Sequence, residues 1–371
     1  MVAHPRLRSP GVNPVTALER IAYLLEGGLA PPYRVRAFRT AIATLRDLDP
    51  VEVAERARLG RLQELPGIGR TTEAVILDAL AGREPAYLAR LEAERSAASG
   101  AGSKPEGATL DDADAAVVEA AAALRRALRG DCHTHSDWSD GGSPIAEMAV
   151  AARDLGHEYL VLTDHSPRLK VANGLSAERL RDQLAVVAEL NEDLAPFRIL
   201  TGIEVDILDD GSLDQEEELL AQLDLVVASV HSKLRMAAGP MTARMVAAVR
   251  NPRVDILGHC TGRMLRPRTP GGRDSRPEST FDAEAVFAAC AEAGTAVEIN
   301  CRPERRDPPR RLLAQVVAAG CQVAIDTDAH APGQLEWQPE GCLRAARCGV
   351  EASRVVNTMA ADDLLAWAAG H

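Results

Sequence analysis

From residue 131 onward, short apolar segments alternate with helical patterns, and this alternation restricts the possible fold more than any other feature of the chain. The apolar segments have the length of buried strands, and they are YLVLTDH, RILTGIEVDI, LDLVVASVH, VDILGHC, TAVEIN and QVAIDTDAH. Between them, apolar residues recur at helical spacing, as in DAEAVFAACAEAG. Strand–helix alternation is typical of an α/β fold with a parallel sheet. Because so many units follow one another without a glycine-rich nucleotide loop, the sequence predicts a β/α barrel.

Polar residues stand at the ends of most predicted strands, and they are Asp164 and His165, Glu204, His231, His259, Asn300, Asp328 and His330. In a parallel barrel the carboxyl ends of all strands open on one face, where active sites lie. We therefore expect these side chains to converge.

The segment DCHTHSDWSDG, residues 131–141, adds two histidines one residue apart. Side chains alternate along a strand, so His133 and His135 share a face, as do Asp328 and His330. Imidazole and carboxylate ligands suit zinc, manganese or iron. The spacing leaves open whether Asp326 or Asp328 is the ligand, and two further carboxylates, Asp131 and Asp206, could replace one.

A single histidine at a strand end is more often a hydrogen-bonded residue than a metal ligand. Here six of the nine histidines fall at successive strand ends, each beside a carboxylate or another histidine. Burying so many titratable groups without a cation would cost several kcal/mol each. A metal cluster that polarises a phosphate and activates water is therefore the favoured interpretation.

Residues outside this set receive structural interpretations. His157 lies at a predicted helix end, where a solvated role is expected, whereas Cys132 and Cys260 should face away from the ligands and pack. The seven cysteines include no CxxC pair, the N-terminus lacks the apolar stretch of a secretory signal, and no segment is long enough to span a bilayer. We therefore expect a cytoplasmic protein.

Six segments, HTHSDWSDG, LTDHS, GIEVDI, SVHS, GHCTGR and DTDAH, together resemble the ordered motifs of the PHP (polymerase and histidinol phosphatase) family of metal-dependent phosphoesterases. The resemblance spans about residues 131–360 and implies a distorted seven-unit β/α (TIM-like) barrel with three divalent ions, Zn²⁺ or Mn²⁺, or Fe²⁺. It implies a first site of His133, His135, Glu204 and Asp328. It implies that Glu204 bridges to a second site with His231 and His259, and that a third site uses Asp140, His165 and His330. Of these residues, we expect Glu204, Asp328 and His231 to be catalytic.

Further segments, DHSPRLKVANGLS, EINCRPERRDPP and NPRVDILGHCTGRML, resemble the PHP domain of bacterial family X DNA polymerases. This resemblance implies six candidates for contact with a DNA phosphate backbone: Arg168, Lys170, Ser232, Lys233, Arg263 and Arg302. A solvated surface group is the alternative for each.

The N-terminal part, residues 14–94, has helical patterns throughout, and its LPGIG segment between two helices is typical of a helix-hairpin-helix motif. Gly67 and Gly69 would let backbone N–H groups approach a DNA phosphate without reading bases; a tight turn with no ligand is the alternative. Residues 12–94 resemble the small N-terminal domain of family X polymerases, which implies that Arg34, Arg36 and Arg39 lie near the phosphates. Residues 1–70 hold eleven arginines against seven acidic residues, although the whole chain carries a net charge of −12.

Three regions follow from these patterns: a helical DNA-binding domain at 1–95, a glycine-rich flexible linker at 96–112, and a phosphoesterase domain at 113–371. The linker is too short to contain a polymerase palm, so no polymerase activity is expected. The only lysines are Lys104, Lys170 and Lys233, which leaves the helical domain without an amine for Schiff-base chemistry.

The expected function is a phosphoesterase acting on DNA through a metal-bound hydroxide, either a 3′–5′ exonuclease or an abasic-site endonuclease in repair. One alternative is a small-molecule phosphomonoesterase of the histidinol phosphatase type. Another is a DNA-binding module whose metals are structural.

Overall fold

The structure is a computed structural model that describes residues 13–101, 112–265 and 275–370. The chain divides into two compact units, Met1–Leu110 and Asp111–His371, and each has its own hydrophobic core.

The first unit is helical, as predicted. Its helices are α1 (Pro14–Gly27), α2 (Pro32–Arg46), α3 (Pro50–Arg58), α4 (Arg70–Leu80) and α5 (Ala86–Ala101). Proline stands at the start of the first three helices, where its missing N–H costs nothing, and the side chains of Asn13 and Asp49 cap α1 and α3. The core joins apolar residues of all five helices, among them Leu18, Ile42, Val53, Ile76 and Leu91.

The predicted linker at 96–112 differs from the structure at its beginning. Helix α5 continues to Ala101, because residues 96–101 are mostly alanine and serine, and alanine has the highest helix propensity. The next part of the predicted linker, residues 102–111, lies outside the described residues.

The second unit begins with α6 (Asp112–Ala127) and continues with seven strands: β1 (Gly130–Thr134), β2 (Tyr159–Leu162), β3 (Arg198–Asp206), β4 (Leu225–Ser229), β5 (Ile256–Leu257), β6 (Ala296–Asn300) and β7 (Val323–Asp326). The connecting helices are α7 (Ile145–Asp154), α8 (Ala177–Leu194), α9 (Glu217–Leu220), α10 (Ala238–Val249), α11 (Ala283–Ala293) and α12 (Arg310–Ala318). Helices α13 (Gln338–Arg347) and α14 (Ala361–Ala368) follow β7.

All seven strands are parallel and adjacent in chain order, and they form a nearly closed barrel with the helices outside. The predicted β/α barrel is therefore confirmed. Most strand residues are buried, which explains why the strands read as continuous apolar runs rather than alternating ones.

The junction between β1 and β7, which we call the barrel seam, is closed in two ways. At the carboxyl end, a parallel bridge joins Thr134 to Ala329. Deeper in the barrel, the buried side-chain amide of Asn357 donates to the carbonyl oxygens of Gly130 at 3.1 Å and Ile325 at 2.8 Å. The amide of Gln338 donates to the same two oxygens at 3.1 and 3.3 Å. Side-chain amides thus satisfy backbone groups that a strand pair would otherwise satisfy.

None of the helices within the described ranges has the combination of length and apolar character that crossing a membrane requires.

Candidate metal centre

Nine side chains meet at the carboxyl end of the barrel, and we call them the metal-site cluster: His133, His135, Asp140, His165, Glu204, His231, His259, Asp328 and His330. Each comes from the end of a strand or from the loop that follows it. All nine candidates from the sequence are therefore brought together.

Glu204, at the end of β3, lies at the centre of the cluster and is fully buried. Its Oε1 lies 2.9 Å from Nε2 of His259 and 3.3 Å from Nε2 of His231. Its Oε2 lies 3.4 Å from Nε2 of His133 and 2.7 Å from Nδ1 of His165. One carboxylate thus has imidazoles on both oxygens, which is the arrangement that bridging two cations requires.

The distances between donor atoms suit shared metal ions. Two ligands about 2.0–2.1 Å from one tetrahedral ion are about 3.4 Å apart. Asp328 Oδ1 lies 3.5 Å from Nε2 of His135, and Asp140 Oδ1 lies 3.5 Å from Nε2 of His165 and 3.3 Å from Nε2 of His330. Three overlapping groups of donors lie within 4.8 Å, and they are His133–His135–Asp328, His165–Glu204–His231 and His135–Asp140–His165–His330.

Unsatisfied buried atoms provide a second test of whether cations fit. Within the described residues, both oxygens of Glu204 and both ring nitrogens of His135, His231 and His259 are buried without a hydrogen-bond partner. Buried polar atoms are normally paired, because leaving one unpaired costs about 1–3 kcal/mol. Divalent cations would satisfy most of these atoms at once, so the residues present fit a metal cluster.

The pKa directions describe how the cluster behaves without cations. Burial raises the pKa of a carboxyl group, but the imidazoles of His231, His133 and His165 outweigh burial and lower the pKa of Glu204 well below its ordinary value. Burial lowers the pKa of an imidazole, yet the carboxylates of Glu204 and Asp206 raise the pKa of His231 to about 9. These directions favour a protonated His231 beside an ionised Glu204 when no cation is bound, and a cation would compete with that proton.

Asp326 and Asp328, which the spacing did not distinguish, have different surroundings. Asp328 has a positive φ of 54°, so the backbone turns after β7 and the alternation of side chains ends there. Asp326 accepts hydrogen bonds from the N–H of Cys132 at 2.8 Å and the amide of Asn357 at 3.2 Å. Burial raises the pKa of Asp326 well above its ordinary value. Asp326 thus belongs to the barrel seam, and Asp328 lies among the cluster donors.

Comparisons with known proteins identify the family. Residues 131–302 match the family model described as "PHP domain". A protein of Caldanaerobacter subterraneus named "Probable phosphatase" is 31% identical over 213 residues, which cover 54% of this chain and 75% of that protein. The chain belongs to the PHP family.

Three further similarities add to this match. The "DNA polymerase/3′-5′ exonuclease PolX" of Bacillus subtilis is 38% identical over 240 residues, which cover 65% of this chain; the chain spans only 41% of the length of that protein. Residues 12–84 match the family model described as "Helix-hairpin-helix domain". A crystal structure of histidinol phosphate phosphatase from Lactococcus lactis, complexed with zinc, L-histidinol and phosphate, has a TM-score of 0.44 at 17% identity, covering 60% of this chain and 95% of that one.

Three carboxylates of the PHP domain stand behind the cluster and orient it. Glu298 on β6 lies 2.6 Å from Nδ1 of His133 and accepts the backbone N–H of His259. Asp206 accepts the backbone N–H of His231 at 3.0 Å, and Asp131 accepts the hydroxyl of Thr327. The contact of Glu298 with Nδ1 is of the kind that fixes the ring orientation of a ligating histidine, whereas Asp206 and Asp131 hold backbone and hydroxyl groups beside the ligands. Asp131 and Asp206 were sequence candidates for ligands, whereas Glu298 was missed, although its alternation with Asn300 in TAVEIN placed it on the same face.

Arginines on the β6–β7 side of the PHP domain approach the cluster. Arg302 Nη1 lies 3.4 Å from Nδ1 of His330 and 3.8 Å from Oδ1 of Asp328. Arg305, which the sequence interpretation missed, has Nε 3.0 Å from Oδ2 of Asp328 and a side chain only 13% exposed. Burial lowers the pKa of a guanidinium, but Asp328 and Glu204 outweigh burial and raise the pKa of Arg305. No local sequence signal separates Arg305 from the other arginines of RPERR.

Among the other candidates for phosphate contact in the PHP domain, some side chains are exposed and others are hydrogen-bonded within the protein. Lys170 is exposed, Arg168 is 48% exposed with Nε 3.4 Å from Asp206, and exposed Lys233 pairs with Asp209. Arg263 points inward and donates to the carbonyl oxygen of Arg305 at 2.8 Å. The Ser232 carbonyl accepts from the buried guanidinium of Arg244 at 3.0 Å. Arg263 therefore binds one loop to another, and the backbone of Ser232 is held by Arg244. Both contacts satisfy backbone carbonyl groups that need a hydrogen-bond donor.

Two predictions about packing residues have different outcomes. Cys132 and Cys260 are buried, as expected. The solvated role expected for His157 is wrong, because His157 is only 4% exposed and burial lowers its pKa to about 4. The helix end that carries His157 packs inward, which the sequence pattern did not reveal.

The helix-hairpin-helix segment of the first unit packs tightly against α2. Gly67 has a φ of 72°, and a Cβ atom there would lie 2.3 Å from Cγ2 of Thr40. Gly69 precedes α4, and its N–H donates to Oγ1 of Thr72 at 2.9 Å. Thr44 donates to the carbonyl oxygen of Pro66 at 2.8 Å. Gly67 thus has a structural role in the turn, beside any phosphate contact, whereas a side chain at Gly69 would meet nothing within 4 Å.

The three arginine candidates of α2 have different roles. Arg39 forms an ion pair at 2.7 Å with Glu26, whose side chain is only 2% exposed. Arg34 donates to the hydroxyl of Tyr87. Arg36 is exposed. Arg39 thus serves the buried carboxylate of Glu26, which needs a counter-charge, and contact of these three arginines with phosphates stays a prediction.

Proposed function

We propose that this protein is a metal-dependent DNA phosphodiesterase, acting as a 3′–5′ exonuclease or an abasic-site endonuclease in DNA repair. Membership of the PHP family supports a metal-dependent phosphoesterase. The observation that carries the finer proposal is the presence, in one chain, of the metal-site cluster and a helix-hairpin-helix domain. The likeness to PolX of B. subtilis adds support, since that protein is named a polymerase and 3′–5′ exonuclease.

The cluster residues would hold the ions in three groups. We assign the first group to His133, His135, Glu204 and Asp328, the second to Glu204, His231 and His259, and the third to Asp140, His165 and His330. Divalent ions held there would supply an activated water at neutral pH and would neutralise charge on the phosphate. We propose that Glu204 bridges the first two groups, with Asp328 and His231 completing them.

The other side chains orient the cluster and bind the substrate. Glu298 contacts Nδ1 of His133 and Asp206 accepts the backbone N–H of His231, while Nε2 of each histidine faces Glu204. Arg302, beside His330, is positioned to donate to a non-bridging phosphate oxygen. In the first unit, the first turn of α4 offers backbone N–H groups to another phosphate without contacting a base. Sequence-independent binding of DNA is expected from such contacts.

The test uses purified protein with manganese or zinc on end-labelled single- and double-stranded DNA, beside histidinol phosphate. We expect metal-dependent shortening of the DNA from its 3′ end or cleavage at an abasic site, with poorer turnover of histidinol phosphate. His231→Ala removes a ligand of the proposed second group and should reduce cleavage by about 10³-fold or more, in keeping with the loss of one essential catalytic group. His157→Leu is the matched control, since it removes a buried imidazole outside the cluster. Full activity of His231→Ala would exclude the proposed second group.

A small-molecule phosphomonoesterase is the second candidate. The relative named "Probable phosphatase" favours it, because this chain aligns with most of that protein's length. This candidate predicts fast turnover of histidinol phosphate and no cleavage of either DNA substrate. A third outcome, metal binding without hydrolysis of any phosphate ester, would leave a DNA-binding module with structural metals.

A further inference from the structure

The most exposed member of the metal-site cluster, Asp140, is carried by a loop rather than a strand. This loop, residues 136–143, connects β1 to α7, and we call it the Asp140 loop. Asp140 has a side chain 38% exposed, whereas the donors around Glu204 are almost fully buried. A loop residue this exposed needs other contacts to keep its carboxylate in position beside the two histidines.

Asp164 provides such contacts from beneath the loop. Its carboxylate is buried, and its Oδ1 accepts the N–H of Ser136 at 2.8 Å and the hydroxyl of Ser139 at 2.5 Å. Its Oδ2 accepts the hydroxyl of Ser136 at 2.5 Å and the side-chain amide of Gln183 at 2.7 Å. Three of these four hydrogen bonds therefore come from the Asp140 loop.

The loop transmits this anchoring to Asp140 through its own backbone. The carbonyl oxygen of Ser136 accepts the N–H groups of Ser139 at 3.2 Å and Gly141 at 2.9 Å, on either side of Asp140. A Cβ atom on Gly141 would lie 2.6 Å from the carbonyl carbon of Ser136, so the chain is closely folded at this point. Fixing Ser136 thus fixes both neighbours of Asp140.

The two imidazoles that face Asp140 are linked to the same anchors. His165 follows Asp164 directly in the chain, and the carbonyl oxygen of His330 accepts the N–H of Gly142 at 2.7 Å. The loop is thus attached to the backbone beside each of its two partners. Asp164 itself is hydrogen-bonded at both oxygens within the described residues, which leaves it no free lone pair directed at the cluster.

We propose that Asp164 is a positioning residue that assembles the third donor group. It holds the Asp140 loop so that Asp140 reaches His165 and His330, and it does not contact the substrate. This proposal rests on the proposed function, because it concerns the third of the three ions. Of the three proposed donor groups, only the third includes Asp140, the residue that this loop carries.

The experiment measures bound metal per chain in the full-length protein. The protein is stripped with a chelator, reloaded with Mn²⁺ or Zn²⁺, and studied by elemental analysis beside a metal titration. Asp164→Ala removes four acceptor positions and should lower the content from three ions to two, with unchanged affinity for the remaining two. Ser139→Ala removes one loop hydrogen bond and keeps the buried carboxylate, so it tests the same idea with less risk to folding. It should weaken the third ion about tenfold, as expected for one charge-assisted hydrogen bond.

Asp224→Ala is the matched control. Asp224 also accepts a backbone N–H and a hydroxyl, from Thr201 at 2.8 and 2.9 Å, but it lies ahead of β4 at the opposite end of the barrel. The Asp224→Ala protein should keep all three ions. Three ions of unchanged affinity in Asp164→Ala and Ser139→Ala would overturn the positioning role, as would equal loss of ions in Asp224→Ala. Fewer than three ions in the wild-type protein would instead contradict the proposed cluster itself.

Discussion

At the scale of single residues, the metal-site cluster brings together nine titratable groups, most of them buried. The types and positions of eight of them could be predicted from the sequence, because strand ends in a parallel barrel, and the loops that follow them, converge at one face. The choice between Asp326 and Asp328 could not, since it depends on one left-handed backbone angle. Arg305 could not be singled out either, because its role depends on contacts between a loop and another strand end, whereas the alternation of Glu298 with Asn300 was an available signal.

His157 gives a pH prediction outside the cluster. Its ordinary pKa is 6.5, and burial lowers the folded-state pKa to about 4. Protonation therefore favours the unfolded chain, so the stability that depends on neutral His157 is present above pH 6.5 and declines as the pH falls towards 4. Between pH 7.5 and pH 4.5, we expect this residue to account for a loss of about 2.5 kcal/mol in the free energy of unfolding.

The measurement is urea unfolding of the metal-free protein at both pH values, followed in parallel for His157→Leu. The wild-type protein should lose about 2.5 kcal/mol more than the variant on acidification. Equal losses for the two proteins would show that His157 keeps an ordinary pKa in the folded state.

At the scale of elements, the helix-hairpin-helix turn and the barrel seam differ in how far sequence predicts them. The segment LPGIG indicates the turn, because glycine is required where φ is positive and a neighbouring side chain approaches closely. The seam, by contrast, depends on Asn357 and Gln338, which lie in segments without a distinguishing pattern. These two polar residues, far from β1 in the sequence, satisfy backbone carbonyl groups at the junction of β1 and β7, and no local motif indicates that role.

Gly67 and Gly60 form a matched pair for testing the turn. Both have positive φ, at 72° and 66°, but only a side chain on Gly67 would collide with another residue, Thr40. Gly60→Ala should destabilise the first unit by about 1 kcal/mol, the cost of a left-handed alanine. Gly67→Ala should cost roughly 1–3 kcal/mol more, because α2 and the turn must separate.

Thermal unfolding together with DNA affinity provides the measurement for this pair. Gly67→Ala should weaken DNA binding as well as stability, whereas Gly60→Ala should leave affinity near that of the wild-type protein. If both variants bind DNA as the wild type does, the turn has no part in DNA recognition.

At the scale of the whole molecule, the sequence predicted a helical region followed by a parallel β/α barrel, and both are present. The barrel was predictable because strand–helix alternation has few other solutions. The boundary between the regions was harder to predict, since small residues such as alanine occur in both linkers and helices. In this structure they form the last turns of α5. The separate cores mean that neither unit depends on the other for its buried apolar residues.

Deletion of residues 1–95 tests which unit carries phosphate-ester hydrolysis and which carries DNA binding. We expect hydrolysis of a small phosphate ester to survive, because the metal-site cluster and its orienting carboxylates all lie in the second unit. DNA affinity should fall at least tenfold at low salt, and the slope of log affinity against log salt should flatten by about 0.9 for each DNA phosphate that the first unit had neutralised. Binding titrations at several salt concentrations measure both quantities. An unchanged slope would assign DNA binding to the second unit alone.

The wide spacing of the donors has a consequence for how the enzyme acquires its ions. The first two donors are His133 and His135, and the last two are Asp328 and His330, so nearly two hundred residues must be synthesised between the opening and the completion of the cluster. A ribosome-bound chain that stops before β7 lacks members of the first and third groups that we propose. The metal is therefore expected to be selected after translation, when the free ions around the folded protein compete for the completed cluster.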